Sequence, residues 1–270
     1  DYYDVVLVVG GDIMREVIGP RATDIVASMT HPNAEYIYGV TLPAMAGMFA
    51  QLYMDKYGIT RDHLADVSIK NQNNGLLNPY AHIQMRITKE GILTHPQAHI
   101  NNPVVAEPLH LYDCCPVSDG AAAVLLTTPE IAKKLKKPPI SIAGFGQATD
   151  THTLQERDDP TDLKAVTIAA KQAFSMAGIK PGDIDVAELH DAFTILEIAE
   201  SEHVGFFKKG EGGEALASGA TQIGGKIPIN PSGGLKARGH PVGATGVAQV
   251  VELVWQLRGE AGERQVKDAA

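Results

Sequence analysis

The segment from Asn230 to Gly246 reads Asn-Pro-Ser-Gly-Gly-Leu-Lys-Ala-Arg-Gly-His-Pro-Val-Gly-Ala-Thr-Gly, and it constrains the fold more than any other stretch of the chain. Backbone this rich in glycine turns tightly and lets a ligand approach the main chain closely. Val247, Val250, Val251, Val254 and Leu257 follow at helical spacing and predict a helix that begins where the glycines end. A glycine-rich turn feeding a helix N-terminus offers free N–H groups to an anion or an oxyanion. His240 sits in its middle, between a glycine and a proline, where an imidazole can serve as a general base near neutral pH. The same pattern also fits a tight turn with an incidental histidine, because glycine-rich loops before helices are common.

The rest of the chain supplies the strands and helices around that turn. Val5 to Val9 is a continuous apolar run closed by Gly10 and Gly11, and it predicts a parallel strand buried on both faces. Ala121 to Leu126, Ile140 to Phe145 and Ile184 to Leu189 are further candidate strands. Ala44 to Tyr57 predicts a helix that stops at Gly58. Leu163 to Ala177 predicts another, capped by Asp162 and burying Val166, Ala170, Ala173, Phe174 and Ala177. Strand, helix, strand in that order predicts a right-handed crossover in an α/β layer. Residues 71–116 are dense in Asn, Pro and His and read as one long irregular region. Ala132 to Pro139, with four lysines and two prolines, reads as a linker near a domain boundary. A buried strand so close to the first residue, and a tail after the last helix, suggest an internal fragment.

Composition narrows the function classes. The 270 residues are 44% hydrophobic and 20% charged, which is a globular composition, and no run is long and apolar enough to span a bilayer. A net charge of −9 argues against a nucleic-acid or anionic-membrane partner. The two cysteines are adjacent, Cys114 and Cys115, which excludes a disulfide framework and points to a reducing, cytoplasmic setting. Buried structural thiols are the default for them, since no base is visible nearby. His95 and His99 are four apart, but Pro96 lies between them and no further ligands cluster there, so no metal is expected. Lys226, Lys236 and Arg238 gather around the glycine-rich turn, either as solvated surface or as a seat for a phosphate-bearing ligand. His190 follows the candidate strand Ile184 to Leu189, at the carboxyl end where α/β sheets bind ligands, and Asp191 is placed to cap the next helix.

These residues also carry a resemblance. Asn230 to Gly246, with Gly-His-Pro-Val-Gly-Ala-Thr-Gly at its core, resembles the C-terminal histidine motif of the thiolase superfamily. His190-Asp191-Ala192-Phe193 resembles the His-Asp-Cys-Phe variant of the sterol carrier protein-type branch and its archaeal and bacterial acetyl-CoA acetyltransferase relatives. Ser118 to Ala123, Met45 to Met48, Asn78-Pro79-Tyr80 and Trp255 to Gly262 fit the same branch. The resemblance implies an α/β fold of duplicated αβαβα layers with an inserted loop domain. The N-terminal half would span residues 1–137, with the loop domain at about 41–116, and the C-terminal half residues 138–270, lacking its last strands.

By the same resemblance, His240 would activate the nucleophile, and His190 and His240 would together hold the thioester oxygen. Cys115 would lie beside the pantetheine arm, and Ser232, Gly239 and Gly243 would shape the coenzyme A pocket. Coenzyme A is expected as substrate, with no permanently bound cofactor. The family's nucleophilic cysteine belongs upstream of Val5, and its second acid/base segment downstream of Ala270, so the chain is expected to be incomplete at both ends. The implied activity is a thiolase-type acyltransfer on acetoacetyl-CoA or another β-ketoacyl-CoA. The alternatives are a retro-aldolase of the same fold acting on steroid side-chain CoA esters, or a non-catalytic CoA-binding subunit. A homodimer or tetramer is expected, and a small zinc-ribbon/OB-fold protein is a candidate partner.

Overall fold

A computed structural model describes residues 3–270; Asp1 and Tyr2 lie outside the described residues. The first half contains β1 (Val5–Asp12), α1 (Gly19–Ala27), α2 (Leu42–Tyr57) and α3 (Arg61–Leu76). It continues with α4 (Ala98–Asn101), β2 (Val104–Ala106), β3 (Leu109–His110), β4 (Gly120–Thr127) and α5 (Pro129–Ala132). The second half contains α6 (Lys164–Ala177), α7 (Thr194–Val204), α8 (Gly212–Ala217), α9 (Gly234–Ala237) and α10 (Val242–Leu257).

β1 forms where expected, but as one member of an antiparallel pair with β4, in register from Val5–Thr127 to Asp12–Gly120. It is not buried on both faces: Val5 to Val9 are between 37% and 63% exposed. α10 packs against both strands, and nothing else among the described residues makes a comparable contact with them. Gly10 is the one buried residue of β1, because a side chain there would strike the carbonyl of Gly243 at the start of α10. β2 and β3 form a second, short antiparallel pair.

The core lies between α2, α3 and α7. Thr41 accepts the Ala44 N–H at 3.3 Å to start α2, and Gly58, at φ +71°, ends it. Phe49, Tyr53, Leu64, Val67, Ile195, Ile198 and Leu235 pack together with little or no exposure. Each such aliphatic or aromatic side chain contributes about 1.5–3 kcal/mol by leaving water. First-half and second-half residues share this one core.

α3 overturns part of the expected irregular region, because helix extends to Leu76. Its polar run Lys70-Asn71-Gln72-Asn73-Asn74 has the composition of a loop, yet Lys70, Asn71, Gln72 and Asn74 are buried and several bond to polar groups of the second half. A helix face satisfied by polar partners has no apolar stripe to reveal it. Residues 77–116 are otherwise short turns, α4 and the β2–β3 pair.

Several second-half expectations are corrected. Residues 140–145 have no strand partner among the described residues, and Ile142 and Phe145 are 66% and 68% exposed. Gly144 and Gly146 lie instead against backbone carbonyls of Ala173 and Ala169 on α6. Among the described residues, Ile184 to Leu189 makes a single parallel bridge, Ala187 to Ile229, and forms no crossover between laddered strands. Asp162 does not cap α6: its carboxylate takes Lys209 Nζ at 2.7 Å and faces His203 Nε2 at 3.0 Å, and Leu163 occupies the cap position. The apolar face of α6 is half-buried rather than buried. On α10, likewise, the fully buried positions are Ala244, Thr245, Glu252 and Gln256, and the valines are half-buried or exposed.

The stretch around Lys136 is tied to the far end of α10 through Lys137–Glu260 at 3.0 Å and Arg258 Nε to the Pro138 carbonyl at 2.9 Å. No described helix is long and apolar enough to cross a membrane.

Candidate active site

His190 and His240 come from separate segments and meet edge to face, with ring centroids 4.9 Å apart and planes at 86°. Gly239, at φ +111°, turns the chain into His240, and a side chain there would press on Ser118 and His82. The His240 N–H donates to Ser118 Oγ at 3.2 Å, and the segment bridges Val117. His240 Nδ1 lies 2.7 Å from Thr245 Oγ1, whose own proton goes to the Pro241 carbonyl at 2.9 Å. A threonine hydroxyl has one proton, so Thr245 must accept from Nδ1–H. That fixes the tautomer and leaves the Nε2 lone pair free. Burial, followed by the His190 ring and the Arg238 charge, pushes the His240 pKa down to about 4, against a smaller opposing pull from Asp12. His240 is therefore a neutral imidazole at pH 7 with an open Nε2.

His190 caps an extended segment anchored through Asn230. Asn230 donates its N–H to the Ala187 carbonyl at 2.8 Å and accepts the Leu189 N–H on Oδ1 at 2.8 Å. It adopts φ +55° to do so, a conformation asparagine tolerates better than most residues. The His190 N–H donates to Glu200 Oε2 at 2.8 Å. The His190 imidazole is solvent-accessible but crowded by protein, and desolvation followed by the Arg238 charge lowers its pKa. The carboxyls beneath the pair are shifted the other way by burial: Glu188 to about 7 and Glu200 to about 8.

Asp191 does not cap α7, whose cap position is Phe193. Its fully buried carboxylate accepts the Leu235 N–H at 2.7 Å and Asn71 Nδ2 at 2.8 Å, joining the His190 segment, α9 and α3. Glu197 sits beneath, accepting from Lys70, Asn71 and Asn230.

The other residues singled out in the sequence fall into different places. Ser232 is fully buried and donates its N–H and Oγ–H to Glu188 at 3.1 and 2.7 Å, so it braces the loop from inside. The Gly243 N–H, at the start of α10, donates to Asp12 Oδ2 at 3.1 Å. Cys114 and Cys115 pack against the core, and burial raises their thiol pKa values to about 11 and about 12. The expected basic cluster is not one: Lys226 is exposed, Lys236 is buried and Arg238 faces Glu188. His95 and His99 are exposed, and no group of three metal-ligating side chains occurs among the described residues.

Beside the His240 segment opens a cleft of about 460 Å³, lined by Arg15, His82, Pro116, Val117 and Ser118 among others. Thr245, Ser118, Asn230, Glu200 and Asp12 were not singled out in the sequence. Thr245 had a usable signal, because it lies one helical turn beyond His240 in the same motif.

A neutral base on a glycine-rich turn, paired with a second histidine on an α/β scaffold, defines a class of site suited to carbonyl chemistry. The chain belongs to the thiolase family. Residues 1–130 match the thiolase N-terminal domain and residues 146–270 the thiolase C-terminal domain-like family. The chain is 46% identical over 268 residues to an acetyl-CoA acetyltransferase of Methanothermobacter thermautotrophicus, covering 99% of this chain and 68% of that protein. It is 36% identical to sterol carrier protein 2 of Bos taurus, covering 98% of this chain and 50% of that protein. Among solved structures, the Ltp2-ChsH2(DUF35) aldolase superposes with a TM-score of 0.85 at 30% identity, covering 99% of this chain and 68% of that one. The chain thus spans about half to two thirds of these relatives.

Proposed function

We propose that this chain carries the oxyanion and base half of a thiolase-type acyltransferase acting on acetoacetyl-CoA or another β-ketoacyl-CoA. The observation that carries this reading is the His190–His240 pair with its tautomer set by Thr245. His240 Nε2 takes the proton of an attacking thiol as sulfur bonds to the carbonyl carbon. The two imidazoles then face the oxygen that gains charge, where a preorganised N–H is worth most. The 460 Å³ cleft beside Ser118 admits the acyl-CoA, and Gly239 keeps a side chain away from its lining residues Ser118 and His82. Cys114 and Cys115, with raised pKa values, are poor nucleophiles, and the thiolase resemblance assigns that role to a cysteine upstream of Val5.

Further parts of the reading follow from family membership. The chain pairs an N-terminal half at 1–137 with a C-terminal half at 138–270, in the duplicated five-layer plan. It assembles as a dimer or tetramer in the cytoplasm. The structural neighbour is an aldolase named together with a DUF35 protein, which supports a small partner protein for this chain too.

That neighbour also favours a second reading, a nucleophile-free retro-aldolase on CoA esters. Thiolysis of acetoacetyl-CoA, assayed on the full chain together with any upstream and downstream sequence of its natural protein, separates the two. Loss of turnover on iodoacetamide treatment and on His240→Ala supports the thiolase. Retro-aldol cleavage that survives iodoacetamide supports the aldolase. Thiolysis unchanged in His240→Ala overturns the site assignment.

A further inference from the structure

Each site histidine is preceded two residues earlier by an ionisable residue, one acidic and one basic: Glu188 before His190, and Arg238 before His240. They face each other, with Arg238 Nη1 3.6 Å from Glu188 Oε2. The Glu188 side chain is fully enclosed and that of Arg238 only 11% exposed. Glu188 is held from behind by the Ser232 N–H and hydroxyl. Arg238 is held differently. Its Nη1 and Nη2 are buried and donate no hydrogen bond among the described residues.

We propose that Glu188 and Arg238 form a positioning pair for the two histidines: their contact ties the His190 segment to the His240 loop, and the guanidinium sets its positive charge against both imidazoles. The proposal rests on the reading of His190 and His240 as the site. A positive charge disfavours imidazolium, so Arg238 adds to burial, the larger cause, in keeping both rings uncharged and His240 available as a base. The other ionisable groups around the rings are Asp12 from β1, Glu200 from α7, and the partner ring itself, since the His190 imidazole lowers His240 more than Arg238 does. Asp12 acts in the opposite direction on His240, and Glu200 contacts the His190 backbone rather than the ring.

The test is histidine titration by NMR on the full chain, with the two signals assigned from His190→Gln and His240→Gln. It reads no turnover, so its failure is distinct from failure of the thiolase reading. In the unsubstituted protein both rings are expected to titrate below the ordinary 6.5. Arg238→Gln should raise both values by roughly one unit, the usual effect of removing a nearby like charge. Arg238→Lys, which keeps the charge but not the shape, should leave both within a few tenths of the unsubstituted values. A merely structural role predicts equal effects of the Lys and Gln variants. Any result for Arg238→Gln other than a rise in both rings, or an equal rise in Arg238→Lys, overturns the proposal. If the Gln variant does not fold, the unsubstituted protein and the Lys variant decide: a ring titrating at or above 6.5 in either overturns it.

Discussion

Glu197 offers the sharpest test of how the site is held. Its side chain is 3% exposed and pairs with Lys70 Nζ at 2.6 Å, itself 3% exposed. It also accepts from Asn71 Nδ2 at 2.7 Å and from Asn230 Nδ2 at 2.8 Å. Glu197→Ala would leave a buried ammonium with only the Ile229 carbonyl, at 2.8 Å, and would orphan one N–H of Asn230 and one of Asn71, whose amide keeps its bond to Asp191. Breaking a buried pair from one side costs about 3–5 kcal/mol, because the remaining charge is uncompensated. Each orphaned amide adds about 1–3 kcal/mol, though not additively. Total stabilities run at about 5–15 kcal/mol, so the variant should be close to its folding threshold. At a urea slope of roughly 3 kcal/mol per molar, the unfolding midpoint should fall by about 1–2 M. Lys70→Met added to Glu197→Gln should recover part of the loss relative to Glu197→Gln alone, since the buried charge is then gone. Urea unfolding followed by circular dichroism measures all of these. A midpoint for Glu197→Ala within about 0.3 M of the parent would refute the reasoning. So would a double variant no more stable than the single.

Three further outcomes are expected. Thr245→Val removes the acceptor for His240 Nδ1–H and should lower thiolysis about tenfold, the equivalent of one hydrogen bond, with folding intact by circular dichroism. For His240, the folded pKa of about 4 lies below 6.5, so between those values the unfolded chain takes up a proton that the folded chain refuses. Stability is then lost as pH falls through that window, by up to about 3 kcal/mol, and His240→Gln should flatten the drop in urea midpoint between about pH 7.5 and about pH 5. Cys114 and Cys115, held as thiols by burial, should react slowly with a disulfide reagent at pH 8 in the folded chain and fast in urea; equal rates would contradict their packing.

The two histidines stand out in the sequence because each sits in a distinctive local motif, one after an apolar run that the structure reduces to a single bridge and the other on a glycine-rich turn. The supporting groups do not. Asn230 and Asp12 act over separations no local pattern encodes: the Asn230–Leu189 bond spans 41 positions and the Asp12–Gly243 bond 231. α3 was missed for a related reason, since its buried face is polar and complements polar groups of the second half. Val5 to Val9 misled in the other direction. The apolar run correctly predicts a strand, but burial depends on how many layers cover it, and among the described residues α10 is the main element packed across the β1–β4 pair.

The glycine-rich segment reads in sequence as an anion seat, and its N–H groups do bind anions, but they are the chain's own. Glu188 takes the Ser232 N–H, Asp191 the Leu235 N–H and Asp12 the Gly243 N–H. Three acidic side chains from two segments, residues 188–191 and β1, therefore fix this turn as a rigid mount and occupy donors that a phosphate or oxyanion would otherwise use. A substrate oxygen arriving at this end of the fold meets the imidazoles instead, where His240 presents Nε2 and His190 stands edge to face against it. Substituting Asp12 with alanine should therefore do more than free an N–H. It would loosen the start of α10, and with it Thr245, the residue that sets the proton on His240.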